Sequence, residues 1–247
     1  MVEICVGNRY ISNYPLVSIK KEPNQQAEQT TQLLYGDSFV ILELAKNWCY
    51  IEIEFDKYRG WMDKKLFWGD IKLESEYPSK KKWINPYPMF YNDKLIPAGC
   101  FIVLDEDSHS FQNDTWNYAS LLKHFSIEKI ARIFLNSPYQ WGGKTHWGID
   151  CSGLVQQVFK IMGFTLPRDA YQQELCGLEV TYGSHQKNDL AFFHENGKIT
   201  HVGILLNENE IIHAHGHVRI DYFCEEGIFN KKINKKTHTL IRIKRIL

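Results

Sequence analysis

The sequence of 247 residues predicts an α+β protein in two unlike halves, the first all β and the second a pair of helices followed by strands. Three observations carry this. Trp48 to Phe55 alternates, with Cys49, Ile51, Ile53 and Phe55 on one face and Tyr50, Glu52 and Glu54 on the other. Ile127, Ile130, Ala131 and Phe134 recur at helical spacing. Leu154, Val155, Val158, Phe159 and Met162 form a second helical stripe, and β-like segments follow it.

Taken in order, Gly36-Asp37, Lys57-Tyr58-Arg59-Gly60 and Gly69-Asp70 punctuate short runs in the first 76 residues, the pattern of a small β barrel. Lys80-Lys81-Lys82, after Tyr77-Pro78, marks a boundary, and residues 77–120 read as a second, smaller β unit with strands at Met89-Phe90-Tyr91 and Cys100 to Leu104. The third segment, 121–247, begins with a helix capped by Ser126 and ended by Asn136-Ser137-Pro138. A second helix is expected from Cys151 to Met162, with Asp150 as N-cap, Gly163 as C′ residue, and Gln156, Gln157 and Lys160 facing outward. Strands are expected at Ile199 to Leu206, Glu210 to Val218 and Leu240 to Leu247.

Composition narrows the function classes. The 29 basic and 29 acidic residues balance, so no global field favours nucleic acid or an anionic membrane. The basic stretch Lys231 to Arg245 reads as a solvated strand face. No run approaches the roughly 20 apolar residues of a membrane span. The opening Met1-Val2-Glu3-Ile4-Cys5 lacks the features of a secretory signal, so a cytoplasmic location is expected, with a periplasmic or secreted one as the alternative if a leader was removed. The six cysteines are scattered with no CxxC pair, against a zinc ribbon or a dense disulfide framework.

Cys151 stands out among them. It begins a helix, where unpaired N–H groups and the helix dipole favour a thiolate, the attacking form of cysteine. Gly142-Gly143 and Gly148 precede it and Gly153 follows, leaving room beside the sulfur. A nucleophilic cysteine needs a base, and His201 lies in the apolar strand Ile199 to Leu205. The next strand alternates as His213, His215 and His217, any of which could hold the imidazole of His201 in its useful tautomer. The same histidines would suit a transition metal, but no HExxH motif or adjacent acid supports that, and no metal or other cofactor is expected.

Pro138-Tyr139-Gln140-Trp141-Gly142-Gly143, Gly148 to Val155 around Asp150-Cys151-Ser152-Gly153, Leu166-Pro167-Arg168-Asp169, His201-Val202-Gly203-Ile204 and Ile212-His213-Ala214 together resemble the NlpC/P60 cell-wall peptidases. The resemblance covers about half the chain and implies a papain-like fold over 121–247. Thr31 to Asp37 and Tyr58 to Met62 look like the bacterial SH3 domains that often precede such peptidases, which makes 1–76 an SH3-like β barrel and 77–120 a smaller SH3-like unit. The layout resembles γ-D-glutamyl-L-diamino acid endopeptidases of the dipeptidyl-peptidase VI type, which cut murein peptides after D-Glu and need a free N-terminal L-Ala.

That likeness implies Cys151 as nucleophile, His201 as base, His213 as the residue orienting it, and Tyr139 as an oxyanion donor beside the N–H of Cys151. It also implies that Asp150 and Ser152 contact the amino end of the substrate, although capping alone would explain Asp150. Asp37, where relatives more often carry the longer Glu, and Trp68 or another aromatic near it are the candidates for closing the cleft from the SH3 module, with ordinary barrel core as the alternative for the aromatic. Ala170 departs from the Ser that some relatives place after Arg-Asp. The expectation is a monomeric peptidase acting on murein peptides in muropeptide recycling. A non-catalytic cell-wall binder and an amidase or acyltransferase on the same fold are the rival readings.

Overall fold

A computed structural model describes residues 4–76, 82–103 and 125–247. The chain divides into two compact units, residues 1–126 with 160–163, and residues 127–159 with 164–247. Among the described residues no helix is long and apolar enough to cross a membrane.

The first unit holds β1 (Arg9–Ser12), β2 (Leu16–Lys20), β3 (Gln29–Leu34), β4 (Ser38–Leu44), β5 (Trp48–Ile53), β6 (Arg59–Asp63) and β7 (Ile71–Leu73). They form an antiparallel sheet in the order β3-β2-β6-β5-β4-β1-β7. The alternation expected from Trp48 is seen in β5, where Cys49, Ile51 and Ile53 are buried and their neighbours are half-buried. These residues join Tyr10, Ile19, Leu33, Phe39, Ile41 and Met62 in one apolar core.

β8 (Lys82–Ile84) pairs with β11 (Phe101–Val103), and β9 (Met89–Tyr91) with β10 (Lys94–Ile96). These ribbons correct the expectation of a separate second unit. Their buried residues Ile96, Cys100 and Ile102 share a cluster with Leu34 and Tyr35 of the first sheet, because two-stranded ribbons this short cannot enclose a core alone. Gly36 permits the junction: its φ is 75°, and a Cβ there would stand 1.8 Å from the carbonyl oxygen of Phe101. The charge run at Lys80-Lys81, the boundaries expected at 76/77 and 120/121, and Leu104 to Tyr118 fall wholly or partly outside the described residues.

The second unit opens with α1 (Ile127–Ile133), then β12 (Lys144–Thr145), β13 (Gly148–Ile149), α2 (Cys151–Ile161) and the short α3 (Ala170–Gln173). β14 (Leu178–Val180), β15 (Leu190–Glu195), β16 (Lys198–Asn207), β17 (Glu210–His215), β18 (His217–Cys224), β19 (Gly227–Asn230) and β20 (Lys235–Arg245) follow. Their order is β14-β20-β15-β16-β17-β18-β19, and β19 also pairs with β20, which closes six strands into a ring. Ala191, Phe193, Leu205, Ile211, Phe223, Ile228 and Ile243 form a core on this sheet.

Two expectations change here. Every residue of α2 is buried, so Gln156, Gln157 and Lys160 do not face outward. The Gln156 amide donates to the Leu166 carbonyl at 3.0 Å, and Lys160 Nζ donates to Asp37 Oδ1 at 2.9 Å. A polar stripe on a helix marks solvent only when nothing else supplies partners. The strand expected from Glu210 to Val218 is in fact two strands. Gly216, with φ 74°, reverses the chain, and His215 pairs with His217 across the turn.

Candidate active site

Cys151 opens α2 at 5% exposure. The preceding loop is tightly packed: a Cβ on Gly153 would stand 2.3 Å from the Gly143 carbonyl oxygen and 2.9 Å from Asp150 Oδ1. Gly153 therefore makes room for the loop and its cap, not for space beside the sulfur as the sequence suggested. Burial, then the Asp150 carboxylate, push the Cys151 thiol up to about 12, outweighing the N–H groups of Val202 and Ser152 and the Arg168 charge that lower it. The helix start alone does not yield the expected thiolate. The Val202 N–H that reaches the sulfur belongs to the residue after His201, so the cysteine meets β16 beside that histidine.

His201 Nε2 and His213 Nδ1 are 2.8 Å apart, and His213 Nε2 lies 3.1 Å from Asp221 Oδ2. Asp221 also accepts from Arg219 Nε at 2.8 Å. Burial favours the neutral Asp221 acid, but the hydrogen bonds from His213 and Arg219 outweigh it and hold the group down at about 2. Asp221 is therefore an acceptor only, and every proton in the chain is placed. His213 donates from Nε2 to Asp221 and accepts at Nδ1 from His201 Nε2–H, leaving His201 Nδ1 with a lone pair. Burial, followed by the neighbouring histidines, holds His201 well below its ordinary value, so its ring is neutral. Burial also lowers His213, against the opposing pull of Asp221. The resting pair is a thiol and a neutral imidazole.

The register explains how two strands supply this row. A Cβ on Gly203 would lie 2.7 Å from Ile211 Cδ1 and 3.0 Å from His213 Cβ, so the bare backbone there lets His213 lean toward His201. Two contributors escaped the sequence reading. Asp221 is visible only once the Gly216 turn is placed, since the hairpin then sets Arg219 opposite His213 and Asp221 opposite Ile211. His238 of β20 stacks on His201 with ring centroids 4.1 Å apart, and burial followed by the charges of His213 and His215 holds it down at about 3. His217 is exposed and takes no part in this cluster.

Tyr139 precedes the glycine loop, its N–H bonded to the Gly216 carbonyl at 2.9 Å. Burial, then the nearby sulfur and the Asp150 charge, raise its phenol further, so it remains a proton donor. Asp150 and Ser152, the residues expected to meet the amino end of the substrate, are also held by the loop and by Arg168. Asp150 Oδ2 accepts from Gly142 N–H at 2.8 Å and Arg168 Nη2 at 2.6 Å, and Oδ1 from Gly153 N–H at 2.7 Å and Arg168 Nη1 at 3.0 Å. The Ser152 hydroxyl lies 2.9 Å from Arg168 Nη1 and 3.3 Å from Asp150 Oδ1. This buried, bidentate pair fixes the loop.

Asp37 is 1% exposed in the first unit, with Oδ2 taken by the Leu34 N–H at 2.8 Å and Oδ1 by Lys160. That corrects its expected role: both oxygens serve the fold. Trp68 ends a short 3₁₀ turn at 73% exposure while Phe67 fills the core, so the barrel-core alternative for Trp68 fails.

Comparisons with known proteins follow the same division. The NlpC/P60 family profile matches residues 136–238, and that of the bacterial dipeptidyl-peptidase Sh3 domain matches residues 19–65. A gamma-D-glutamyl-L-lysine dipeptidyl-peptidase of Bacillus cereus is 38% identical over 225 residues, covering 74% of this chain and 66% of that one. A probable endopeptidase NlpC homolog of Haemophilus influenzae is 30% identical over 127 residues, covering 50% of this chain and 68% of that one. The crystal structure of an NlpC/P60 family protein from Bacillus cereus shares the fold, with a TM-score of 0.75 over 97% of this chain and 99% of that one at 18% identity. The chain thus spans just under two thirds of the length of the Bacillus cereus dipeptidyl-peptidase.

Proposed function

The chain belongs to the NlpC/P60 family, and from that premise we propose that it is a cysteine peptidase cleaving the γ-D-Glu–diamino acid bond of murein peptides, with L-lysine as the diamino acid. One observation carries the reading: the 2.8 Å bond between His201 Nε2 and His213 Nδ1, which leaves His201 Nδ1 with the lone pair a base needs, on the strand whose Val202 N–H reaches the Cys151 sulfur.

As the substrate carbonyl meets the sulfur, the Cys151 proton passes to His201 Nδ1 and the S–C bond forms. The imidazolium is steadied by His213 and, through it, by Asp221. The oxyanion takes hydrogen bonds from the Tyr139 phenol and the Cys151 N–H. His201 then protonates the leaving amine of the diamino acid, and water, deprotonated by His201, cleaves the thioester.

The finer requirement for a free N-terminal L-Ala rests on family resemblance. Recycling of peptides in the cytoplasm is part of the proposal. Cell fractionation tests that location. The activity is tested with L-Ala-γ-D-Glu-L-Lys and its N-acetylated form, using wild type and Cys151→Ala. Cleavage by the wild type should fall by about 10⁴-fold or more in the variant. Equal cleavage by both proteins would remove the covalent mechanism. Equal cleavage of the acetylated peptide would remove the amino-end requirement alone.

A further inference from the structure

We propose that His201, His213 and His238 form a binding site for a zinc-type divalent ion, and that its occupancy silences the base. The three imidazoles come from β16, β17 and β20, and one ligand nitrogen from each lies within 4.8 Å of the others. His215 lies beside them, its ring 4.8 Å from that of His238.

Two of the three rings already present a lone pair, and the His238 ring, stacked on that of His201 with centroids 4.1 Å apart, tilts to bring its nitrogen to the ion. His213 presents its Nδ1 lone pair because Nε2–H is held by Asp221 at 3.1 Å, the carboxylate–histidine support that orients ligands around zinc. His238 Nδ1 lies 2.9 Å from the Thr237 hydroxyl, which itself donates to the Ile228 carbonyl at 3.4 Å. The hydroxyl therefore accepts from His238 Nδ1–H, and Nε2 keeps its lone pair. Arg219, the nearby cation, is held against Asp221 at 2.8 Å, so its charge is largely offset.

Tetrahedral zinc with bonds of about 2.0–2.1 Å sets its nitrogens about 3.3 Å apart. For the ion to replace the proton between them, the 2.8 Å separation of His201 and His213 opens by roughly half an ångström, and separations of up to 4.8 Å to the third nitrogen close by up to roughly 1.5 Å. Water completes the coordination. Bound through Nε2, the neutral His201 ring carries its proton on Nδ1, the atom that must accept from Cys151. The proton moves between nitrogens of one ring, and none is lost. The silencing rests on the cysteine-peptidase reading; the site itself does not.

The test titrates the full chain with Zn²⁺ alone against a chromophoric chelator, and with Co²⁺ by visible absorption. One ion per chain is expected, with affinity about tenfold or more weaker in His238→Phe and His238→Gln, and unchanged in Cys151→Ala. Zn²⁺ should also slow alkylation of Cys151 by iodoacetamide, followed on its own peptide by mass spectrometry, and chelation should restore it. Absence of binding, undiminished binding in both His238 variants, or loss of the ion in Cys151→Ala would overturn the site. An alkylation rate indifferent to bound zinc would overturn the silencing. Failure of the peptidase reading appears separately, as no cleavage of L-Ala-γ-D-Glu-L-Lys by metal-free wild type.

Discussion

Two seven-stranded antiparallel sheets use the same alternation and are lined differently. The sheet of the first unit buries an apolar set from Tyr10 to Ile71, and among the described residues its buried charge is the pair Asp37–Lys160. The sheet of the second unit buries an apolar set too, but beside it runs a row of imidazoles ending on a carboxylate. In the first, a buried charge closes a turn. In the second, buried polar groups are chained so that each proton has one place, and the N–H of the residue after the first histidine reaches the Cys151 sulfur. Buried polar groups cost stability unless satisfied, so where they line a sheet in series they mark chemistry; where they occur as one pair they mark architecture.

Four variants sharpen that contrast. The largest effect is expected for Asp37→Ala, which leaves Lys160 buried and unpaired. Unfolding in urea should show about 3–5 kcal/mol lost, while the reactivity of Cys151 in the remaining folded protein is retained. Next is Tyr139→Phe, which removes one oxyanion donor. Turnover of the murein peptide should drop about 10²–10³-fold with the urea midpoint nearly unchanged. Comparable losses of stability in both would erase the distinction between the two linings.

Asp221→Asn comes third. It leaves the His213 tautomer undirected, and kcat should fall by about 10–100-fold. Its stability readout is acid-specific: the folded-state pKa of about 2 lies below the ordinary 3.8, so the carboxylate stabilises above that ordinary value. This contribution disappears as pH falls through about 2. The wild type should lose more stability than the variant over that window. The smallest effect concerns His238, held near 3 against 6.5. Between those values the unfolded chain binds a proton there that the folded chain refuses, so stability is full above 6.5 and falls with acid. His238→Phe should reduce the slope of stability against pH in that window by up to one proton. An unchanged slope would mean that the stacked ring titrates as freely folded as unfolded.

Much of the architecture was legible locally. The β5 alternation, the two helices and the positive-φ Gly163 after α2 follow from period and turn chemistry. Cys151, His201 and His213 could be named because each sits in a short ordered motif, and the structure brings all three to one place. What sequence misread has one cause. Gln156 and Lys160 looked like a solvated face because polarity alone does not say whether a partner is waiting.

The sequence by itself determined the two unlike halves, the family, and a cysteine at a helix start followed by two histidine strands. Only the tertiary structure decided which groups those residues face. Arg168 is paired with Asp150 across 18 positions, and Lys160 with Asp37 across 123. Asp221 and His238 reach the histidine row from other strands. The reason is physical: local periodicity is set by backbone geometry over a few residues, whereas protonation state and free valence depend on neighbours that the chain reaches only after folding.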